Sequence, residues 1–274
     1  MNKIKPLYED LYIYYFNGPV KTASEKSFNK SYIGNWIEDG TSFLFFKEAA
    51  EKDISNLLKL QPELKLNDKF NMTYEEWCGT NITTILAGPF EIIPPWVQTR
   101  DDPEAIPIYL DPGVVFGAGT HPTTFDCLCA IEMAYKKEKA QSMIDLGTGT
   151  GVLALAAVLM GSKRALALDL NPLAAKTALN NVRLNNLSDK IFVIQALAQD
   201  YIDSPADLLV ANIHYDVLIK LIQKETFLRK KMFIFSGLMP GQGKKVMEVL
   251  KNYPVEIFQV WDRNNWFTCY GKCS

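Results

Sequence analysis

The amino-acid sequence predicts an α/β protein with a doubly wound, mostly parallel sheet of seven strands, preceded by a small α+β domain. From residue 123 onwards, short apolar runs alternate with segments of helical spacing, which is typical of parallel strands covered by helices on both faces. Before residue 94, strand-like runs surround one main helical segment, and a short helical piece follows them. The proline-rich stretch 94–107 separates the two patterns. We therefore predict a small domain at 1–68, a connector at 69–98 and a larger domain at 99–274.

The small domain is predicted to consist of strands around one helix. Runs rich in aromatic and β-branched residues predict strands at 11–16, 32–39, 41–46 and 63–73. The segment 47–60 has helical spacing, with acidic residues early and Lys59 near its end, which suits the helix dipole. A short helical piece at 74–77 and a strand within 87–96 are predicted for the connector.

The larger domain is predicted from strictly alternating elements. Strands are expected at 142–147, 164–170, 190–196, 206–213, 231–237, 255–263 and 265–272, and helices at 123–138, 151–161, 172–186, 215–228 and 241–252. Such alternation indicates a parallel, doubly wound sheet. In sheets of this kind, ligands bind beyond the carboxyl ends of the strands.

Composition narrows the classes of function. The chain has 29 basic and 31 acidic side chains, a net charge of −2, so we expect no direct binding to nucleic acid. No apolar window approaches the length of a membrane span, and no leader pattern is present, so we expect a cytoplasmic protein without membrane contact. The five cysteines lack C-x-x-C spacing and there are only two histidines, so reduced thiols and no zinc site are expected.

A glycine-rich turn and an acidic residue form the strongest chemical motif. Gly147, Gly149 and Gly151 follow a predicted strand that contains Asp145, and they precede a helix whose N-terminus can face a ligand. Asp169 ends the next strand, 20 residues after Gly149, where a carboxylate can accept both hydroxyls of a nucleotide ribose. We therefore expect Asp169→Ala to weaken nucleotide binding while leaving the stability of the unliganded protein nearly unchanged.

The glycine spacing favours one cofactor class over another. The dinucleotide fingerprint is G-x-G-x-x-G, whereas this chain has G-x-G-x-G, which resembles the S-adenosylmethionine site of class I methyltransferases. In that family, the equivalent of Asp145 lies near the methionine end. Asn212 ends the fourth predicted strand, where methyltransferases that act on nitrogen often carry Asn or Asp. An amide there can accept a hydrogen bond from an amine, although an Asn in this position can also simply cap the next helix.

Longer segments carry a more specific resemblance. "LDPGVVFGAGTHPTT", "IDLGTGTGVLALAA", "LALDLNPLAAKTALNNVRLN", "ADLLVANI", "FSGLMPGQ" and "NNWFTCYGK" resemble, in order and spacing, the PrmA family of bacterial methyltransferases of large-subunit ribosomal protein eleven. The resemblance implies S-adenosyl-L-methionine contacts from Thr124, Gly147, Asp169 and Asn212. It also implies a protein substrate methylated on lysine and N-terminal amino groups, captured by the N-terminal domain. The expected function is thus a protein N-methyltransferase acting on a ribosomal protein, and we expect a monomer.

Several roles stay open at the level of sequence. His121 is either a base for the incoming amine or a residue that fixes its loop. Thr120 and Thr124 suit both a helix N-terminus, with Pro122 in the first turn, and a ligand that binds there. Trp96, Phe116 and Trp266 are either walls of the pocket or core residues. The alternatives for the whole protein are a class I methyltransferase of another protein or a small molecule, and a non-catalytic S-adenosylmethionine-binding protein.

Overall fold

The computed structural model describes residues 8–38, 40–78, 84–97, 100, 102–115, 119 and 121–274. The chain divides into two compact units, Met1–Ile82 with Gly113–Val115, and Thr83–Pro112 with Phe116–Ser274. They are called the first and the second unit below. Among the described residues, no helix has both the length and the apolar character that crossing a membrane requires.

The first unit is built on a four-stranded antiparallel sheet in the order β2-β3-β1-β4. Its elements are β1 (Asp10–Asn17), α1 (Thr22–Glu25), β2 (Tyr32–Glu38), β3 (Thr41–Phe46), α2 (Glu51–Leu60), β4 (Lys65–Thr73) and α3 (Tyr74–Cys78). All the predicted strands and both predicted helices of this region are present, and α1 was not predicted. Strand β4 runs across the predicted boundary between residues 68 and 69, and the predicted domain boundaries stay predictions.

Helix α2 of the first unit covers one face of this sheet. Alternate residues of β1 and β3 point to the helix, so that Tyr14, Phe16 and Leu44 pack against buried Leu57. The Tyr14 hydroxyl also accepts a hydrogen bond from the backbone N–H of Ala50 at 2.9 Å, which satisfies a donor at the start of α2. The apolar face of the helix and its capped end therefore fix α2 on the sheet.

The second unit contains the predicted seven-stranded sheet, in the order β10-β9-β8-β11-β12-β14-β13. The strands are β8 (Ser142–Leu146), β9 (Arg164–Asp169), β10 (Ile191–Gln195), β11 (Leu208–Asn212), β12 (Met232–Leu238), β13 (Val255–Arg263) and β14 (Trp266–Cys273). Strands β8 to β12 pair in parallel, and β14 is antiparallel to both β12 and β13. The prediction of a mostly parallel α/β sheet is confirmed.

Helices cover both faces of this sheet, as a doubly wound fold requires. They are α4 (Pro122–Lys137), α5 (Val152–Leu159), α6 (Pro172–Leu184), α7 (Ala198–Tyr201), α8 (Tyr215–Ile222) and α9 (Pro240–Leu250). Buried Val210 of β11 packs on the side of α4 and α5, whereas its neighbours Leu209 and Ala211 pack on the side of α8 and α9. The central strands β8, β11 and β12 are thus buried on both faces, which explains their continuous apolar runs.

Helix α7 of the second unit was not predicted, and two further parts of this unit differ from the prediction. The helix expected at 215–228 ends at Ile222, and a 3₁₀ helix follows at Glu225–Arg229. A continued α-helix would turn Glu225 and Thr226 to the core, because they lie three and four residues after buried Ile222. The 3₁₀ turn buries Phe227 instead.

A small three-stranded sheet was also largely missed. It consists of β5 (Ile85–Ala87), β6 (Phe90–Ile93) and β7 (Ile106–Tyr109), of which only β6 was predicted. Strand β7 pairs in parallel with β6, and the N–H of Leu110 donates to the carbonyl of Ile93 at 2.9 Å. Because β7 lies at the end of the proline-rich stretch, its pairing with β6 fixes the position of the chain before the segment that precedes α4.

Candidate cofactor site

The glycine-rich turn lies at the carboxyl end of β8, and its geometry requires glycine. Gly147, Gly149 and Gly151 have φ values of +76°, +56° and +85°, a region that other residues rarely adopt. The N–H groups of Gly147 and Thr148 both donate to the carbonyl of Leu168, each at 2.9 Å. A Cβ atom on Gly147 would lie 2.3 Å from Cγ2 of Ile213. The turn is therefore packed closely against Ile213, and any side chain at position 147 would clash with it.

Asp169 holds this turn from the end of β9. Its Oδ2 accepts a hydrogen bond from the N–H of Gly149 at 3.0 Å, and its Oδ1 accepts one from the N–H of Asn171 at 2.9 Å. Burial raises the pKa of this carboxyl, and the backbone donors of Asn171 and Gly149 oppose that rise. The N–H of Leu170 is a third backbone donor to this carboxyl. Since a carboxylate has about four acceptor positions, acceptor capacity remains for hydroxyl groups of a ligand.

Asp145 is fully buried in β8, directly before the turn. One oxygen, Oδ2, accepts a hydrogen bond from the Thr148 hydroxyl at 2.6 Å, and Oδ1 has no hydrogen-bond partner within the described part of the chain. Burial raises the pKa of this carboxyl from its ordinary value of 3.8 to about 7, with a smaller contribution from the negative charge of Asp169. An acceptor left without a donor fits a ligand that brings an ammonium or N–H group.

A second cluster of polar side chains connects helix α4 with strand β11. His121 is the N-cap of α4, and its Nδ1 accepts from the N–H of Thr123 at 3.4 Å and lies 2.7 Å from the Thr123 hydroxyl. The amide Nδ2 of Asn212 donates to the same hydroxyl oxygen at 3.2 Å. We call these three residues the His–Thr–Asn chain. Because a backbone N–H can only donate, Nδ1 is an acceptor and the neutral ring carries its proton on Nε2.

This arrangement bears on the two roles that the sequence left open for His121. A general base needs a free acceptor nitrogen, but the acceptor of this ring is occupied by the helix cap. Burial lowers the pKa of His121, which keeps the ring neutral and the cap intact. The Trp266 indole meets the imidazole edge-to-face, with 4.7 Å between ring centroids. The geometry favours the role of fixing the loop.

The two clusters adjoin at Ile213, whose side chain covers Gly147 and whose backbone follows Asn212. A Cβ atom on Gly237 of β12 would lie 2.8 Å from the carbonyl oxygen of Ile213 and 3.0 Å from Oδ1 of Asn212. Only glycine therefore allows Asn212 and Ile213 to adopt this conformation beside β12. The sequence contained this signal in the "FSG" that ends the predicted strand, but no role was predicted for Gly237.

The predicted site residues divide into those that the structure brings together and those that it does not. Gly147, Gly149 and Asp169 form one hydrogen-bonded turn with Asp145, and His121 and Asn212 meet through Thr123. Thr124 is buried in the first turn of α4. Thr120 and Phe116 lie outside the described residues.

Asn181 of α6 is a further residue of this site that sequence reasoning missed. Its amide nitrogen donates to the carbonyls of Thr150 and Asp111, both at 2.9 Å, and its Oδ1 accepts from the N–H of Asp111. One turn later, Asn185 binds the N–H and the carbonyl of Tyr109 in the same way. In the sequence, the indication was an amide side chain on the otherwise apolar face of the predicted helix. In the structure, this buried amide joins the glycine turn to the segment after β7.

Comparison with known proteins agrees with this geometry. The family described as "Ribosomal protein L11 methyltransferase (PrmA)" matches residues 42–274. A curated relative named ribosomal protein L11 methyltransferase, from Anoxybacillus flavithermus, is 36% identical over 186 residues, which cover 67% of this chain and 59% of the relative. One of the same name from Bacillus cereus (strain ATCC 10987 / NRS 248) is 36% identical over 190 residues, which cover 68% and 60%. The chain thus spans less than two thirds of the length of these relatives.

A solved structure supports the same assignment. The crystal structure of the ribosomal protein L11 methylase from Lactobacillus delbrueckii subsp. bulgaricus superposes with a TM-score of 0.61 at 28% identity, covering 70% of this chain and 98% of that one. The methyltransferase domain of METTL16 shares the fold at 16% identity and a TM-score of 0.50, over 60% of this chain and 87% of that one. The resemblance predicted from the motifs is confirmed, and the chain belongs to the ribosomal protein L11 methyltransferase (PrmA) family.

Proposed function

We propose that this protein transfers methyl groups from S-adenosyl-L-methionine to amino groups of ribosomal protein L11. The observation that carries the proposal is the placement of two different sites at one edge of the sheet. A glycine turn fixed by a carboxylate lies at the ends of β8 and β9, and an oriented amide lies at the end of the adjacent β11. The first suits a nucleoside and the second suits an amine.

The residues of the turn fit the cofactor by their chemistry. Asp169 has acceptor capacity left for the two ribose hydroxyls, and the unpartnered oxygen of Asp145 suits the ammonium of the methionine part. The positive φ values of Gly147 and Gly149 allow the backbone of the turn to approach a ligand closely. Leu170 and Leu197, which are 61% and 44% exposed just after β9 and β10, are apolar surfaces suited to a purine.

Asn212 is oriented to receive the amine. Its Nδ2 donates into the His–Thr–Asn chain, so the other end of the amide, Oδ1, is available as an acceptor for an N–H of the substrate. When bound, the cofactor supplies a methyl group on a positively charged sulfonium, which a neutral amine attacks. The task of the protein is therefore to align the amine, exclude water and favour its neutral form.

The neutral form is a substantial requirement for a lysine substrate. With an ordinary pKa of about 10.4, deprotonation of lysine at pH 7 costs about 4.6 kcal/mol. Trp266 and the half-buried, neutral ring of His121 present apolar and uncharged surface in the cluster that contains Asn212, and such surroundings lower the pKa of an ammonium group. No dedicated base is needed, and we assign His121 to the loop rather than to proton transfer.

The first unit is assigned to substrate capture, as the family resemblance implies. The described residues of the glycine turn and of the His–Thr–Asn chain all belong to the second unit, which supports a separate role for the first unit. The cytoplasmic location, the monomeric state and the absence of nucleic-acid binding stay predictions.

The test is transfer of label from methyl-labelled S-adenosylmethionine to purified ribosomal protein L11 and, in parallel, to a cell extract. Label in L11 that is lost in Asn212→Ala even at saturating S-adenosylmethionine is the expected result. Label only in another band would contradict the substrate, and cofactor binding without any transfer would favour a binding protein. Thermal shifts with S-adenosylmethionine, S-adenosylhomocysteine and NAD check the cofactor class before any substrate is needed.

A further inference from the structure

The tip of the hairpin β13–β14 reaches the first turns of helix α4. Asn264 and Asn265 form the turn, both with positive φ (+53° and +60°), as in the tight turns that follow the twist of a hairpin. Arg263 and Trp266 pair across the two strands directly before and after this turn. The hairpin therefore presents these two large side chains together at its end.

Arg263 binds a buried carboxylate on α4. Its Nε donates to Oδ1 of Asp126 at 3.0 Å, and its Nη2 contacts the same oxygen. The Asp126 side chain is fully buried, whereas that of Arg263 is 46% exposed, and the guanidinium lies 5.3 Å from the ring centroid of Phe125. A carboxylate is costly to bury even when it is paired. A neutral pair at this place would join the same elements without that cost.

Trp266 makes the second contact of the hairpin tip with α4. Its indole meets His121, which lies five residues before Asp126 in the chain and caps the helix. The ion pair and the ring contact thus fasten the tip at two neighbouring points. The second point is the first member of the His–Thr–Asn chain, which orients the amide of Asn212.

We propose that Arg263 and Asp126 are positioning residues for methyl transfer: they hold the hairpin tip so that Trp266 keeps the His–Thr–Asn chain in the orientation that receives the amine. This inference rests on the proposed function for its effect on the reaction. Its structural part, that the ion pair controls the contact between Trp266 and His121, stands without any substrate.

The chain itself offers a matched control. At the other end of α4, Lys272 of β14 donates to Glu138 at 3.2 Å, so a second ion pair joins the same hairpin to the end of the same helix. The side chains of Lys272 and Glu138 are 42% and 38% exposed. Lys272→Met removes this pair far from the His–Thr–Asn chain, and Arg263→Met removes the pair beside it.

The first readout is the NMR spectrum of the two histidines. The ring current of Trp266 displaces the imidazole protons of His121, and His214 at the start of α8 serves as the internal reference. In the intact chain, Arg263→Met is expected to move the His121 resonances toward their positions in Trp266→Leu. Lys272→Met is expected to leave them in place, and unchanged His121 resonances in Arg263→Met would overturn the proposal.

The second readout separates positioning from loss of fold. Arg263→Met leaves the Asp126 carboxylate buried without its partner, so the double variant Asp126→Asn/Arg263→Met is measured beside it. Both are expected to bind S-adenosylmethionine within about twofold of the parent in calorimetry and to transfer methyl groups at least about tenfold more slowly at saturating substrate. Full recovery of the rate in the double variant would overturn the proposal, because the unpaired charge alone would then be the cause.

Failure of the proposed function gives a different result. In that case the parent chain neither binds S-adenosylmethionine nor transfers label, whereas the NMR comparison still decides whether the ion pair holds Trp266 against His121. A rate as low in Lys272→Met as in Arg263→Met would overturn the inference while leaving the proposed function intact.

Discussion

Replacement of Asp169 by alanine tests the candidate cofactor site most directly, because this carboxylate has two tasks. It accepts the N–H groups of Gly149 and Asn171 in the unliganded protein, and it is assigned to the ribose of the cofactor. Asp169→Ala removes both acceptors at once. The sequence alone led to the expectation that the unliganded protein would keep its stability, and the hydrogen bonds revise that expectation.

The size of the effect follows from opposing contributions. Each backbone N–H that loses its acceptor costs about 1–3 kcal/mol where water cannot replace it. The substitution also removes a carboxylate whose burial is unfavourable, as its raised pKa indicates, and this offsets part of the lost free energy of unfolding. We expect the free energy of unfolding to fall by about 2 kcal/mol. The lost hydrogen bonds to the ribose are worth about 1.5–3 kcal/mol, so the dissociation constant should rise roughly tenfold to a hundredfold.

Urea unfolding of the unliganded protein and calorimetric titration with S-adenosylmethionine measure the two effects separately. Asp207→Ala is a matched control, because Asp207 accepts the N–H groups of Gln141 and Ser142 at the opposite, amino end of the strands. The control should lose stability but bind the cofactor normally. An unchanged dissociation constant in Asp169→Ala would remove Asp169 from the site, and an unchanged free energy of unfolding would refute the role of its hydrogen bonds.

Substitutions at three further positions test other parts of the site. The folded protein holds the proton of Asp145 more tightly than the unfolded chain does. The free energy of unfolding of the protein should therefore fall as the pH rises from about 4 to about 7, by at most about 1.4 kcal/mol per pH unit. Asp145→Asn should reduce this pH dependence in urea unfolding, and the same pH dependence in the variant would contradict the raised pKa of Asp145. Gly237→Ala should slow methyl transfer at least about tenfold, because the added Cβ would clash with the backbone of Ile213. A rate within twofold of the parent would show that the backbone of Ile213 can move without loss of function, against this prediction. His121→Asn, which retains a capping acceptor, should keep most of the turnover that His121→Ala loses; equal loss in both variants would restore the role of a base.

The parts of the fold that depend on local pattern were predictable from the sequence. The central strands β8, β11 and β12 are buried on both faces, so their apolar runs are distinct in the sequence, and the glycines between β8 and α5 mark the turn. Asp169 was identified for the same reason, because strand ends of a parallel sheet meet at one edge. Its hydrogen bond to Gly149 could not be predicted, since it depends on how the two chain segments meet.

Features that depend on distant contacts were not predictable. Strands β5 and β7 are three and four residues long and gain their stability from pairing with β6, so neither produces a clear period. Arg263 and Asp126 are 137 residues apart, and the charge of Asp126 on an otherwise apolar helix face gave no indication of its partner. The orientation of Asn212 likewise depends on Thr123, 89 residues away.

Asn181 of α6 and Asn185, which caps the end of this helix, have a consequence beyond the cofactor turn. Alternate residues of β7 and its continuation, such as Leu110, bond to β6, which leaves Tyr109 and Asp111 with N–H and carbonyl groups directed away from the sheet. An exposed strand edge with unpaired N–H and carbonyl groups can pair with a strand of another molecule. Asn185 and Asn181 occupy these groups with side-chain amides, whose donor and acceptor imitate a peptide bond. A helix thereby closes the edge of a sheet, and protects the protein against edge-to-edge aggregation where no further strand is available.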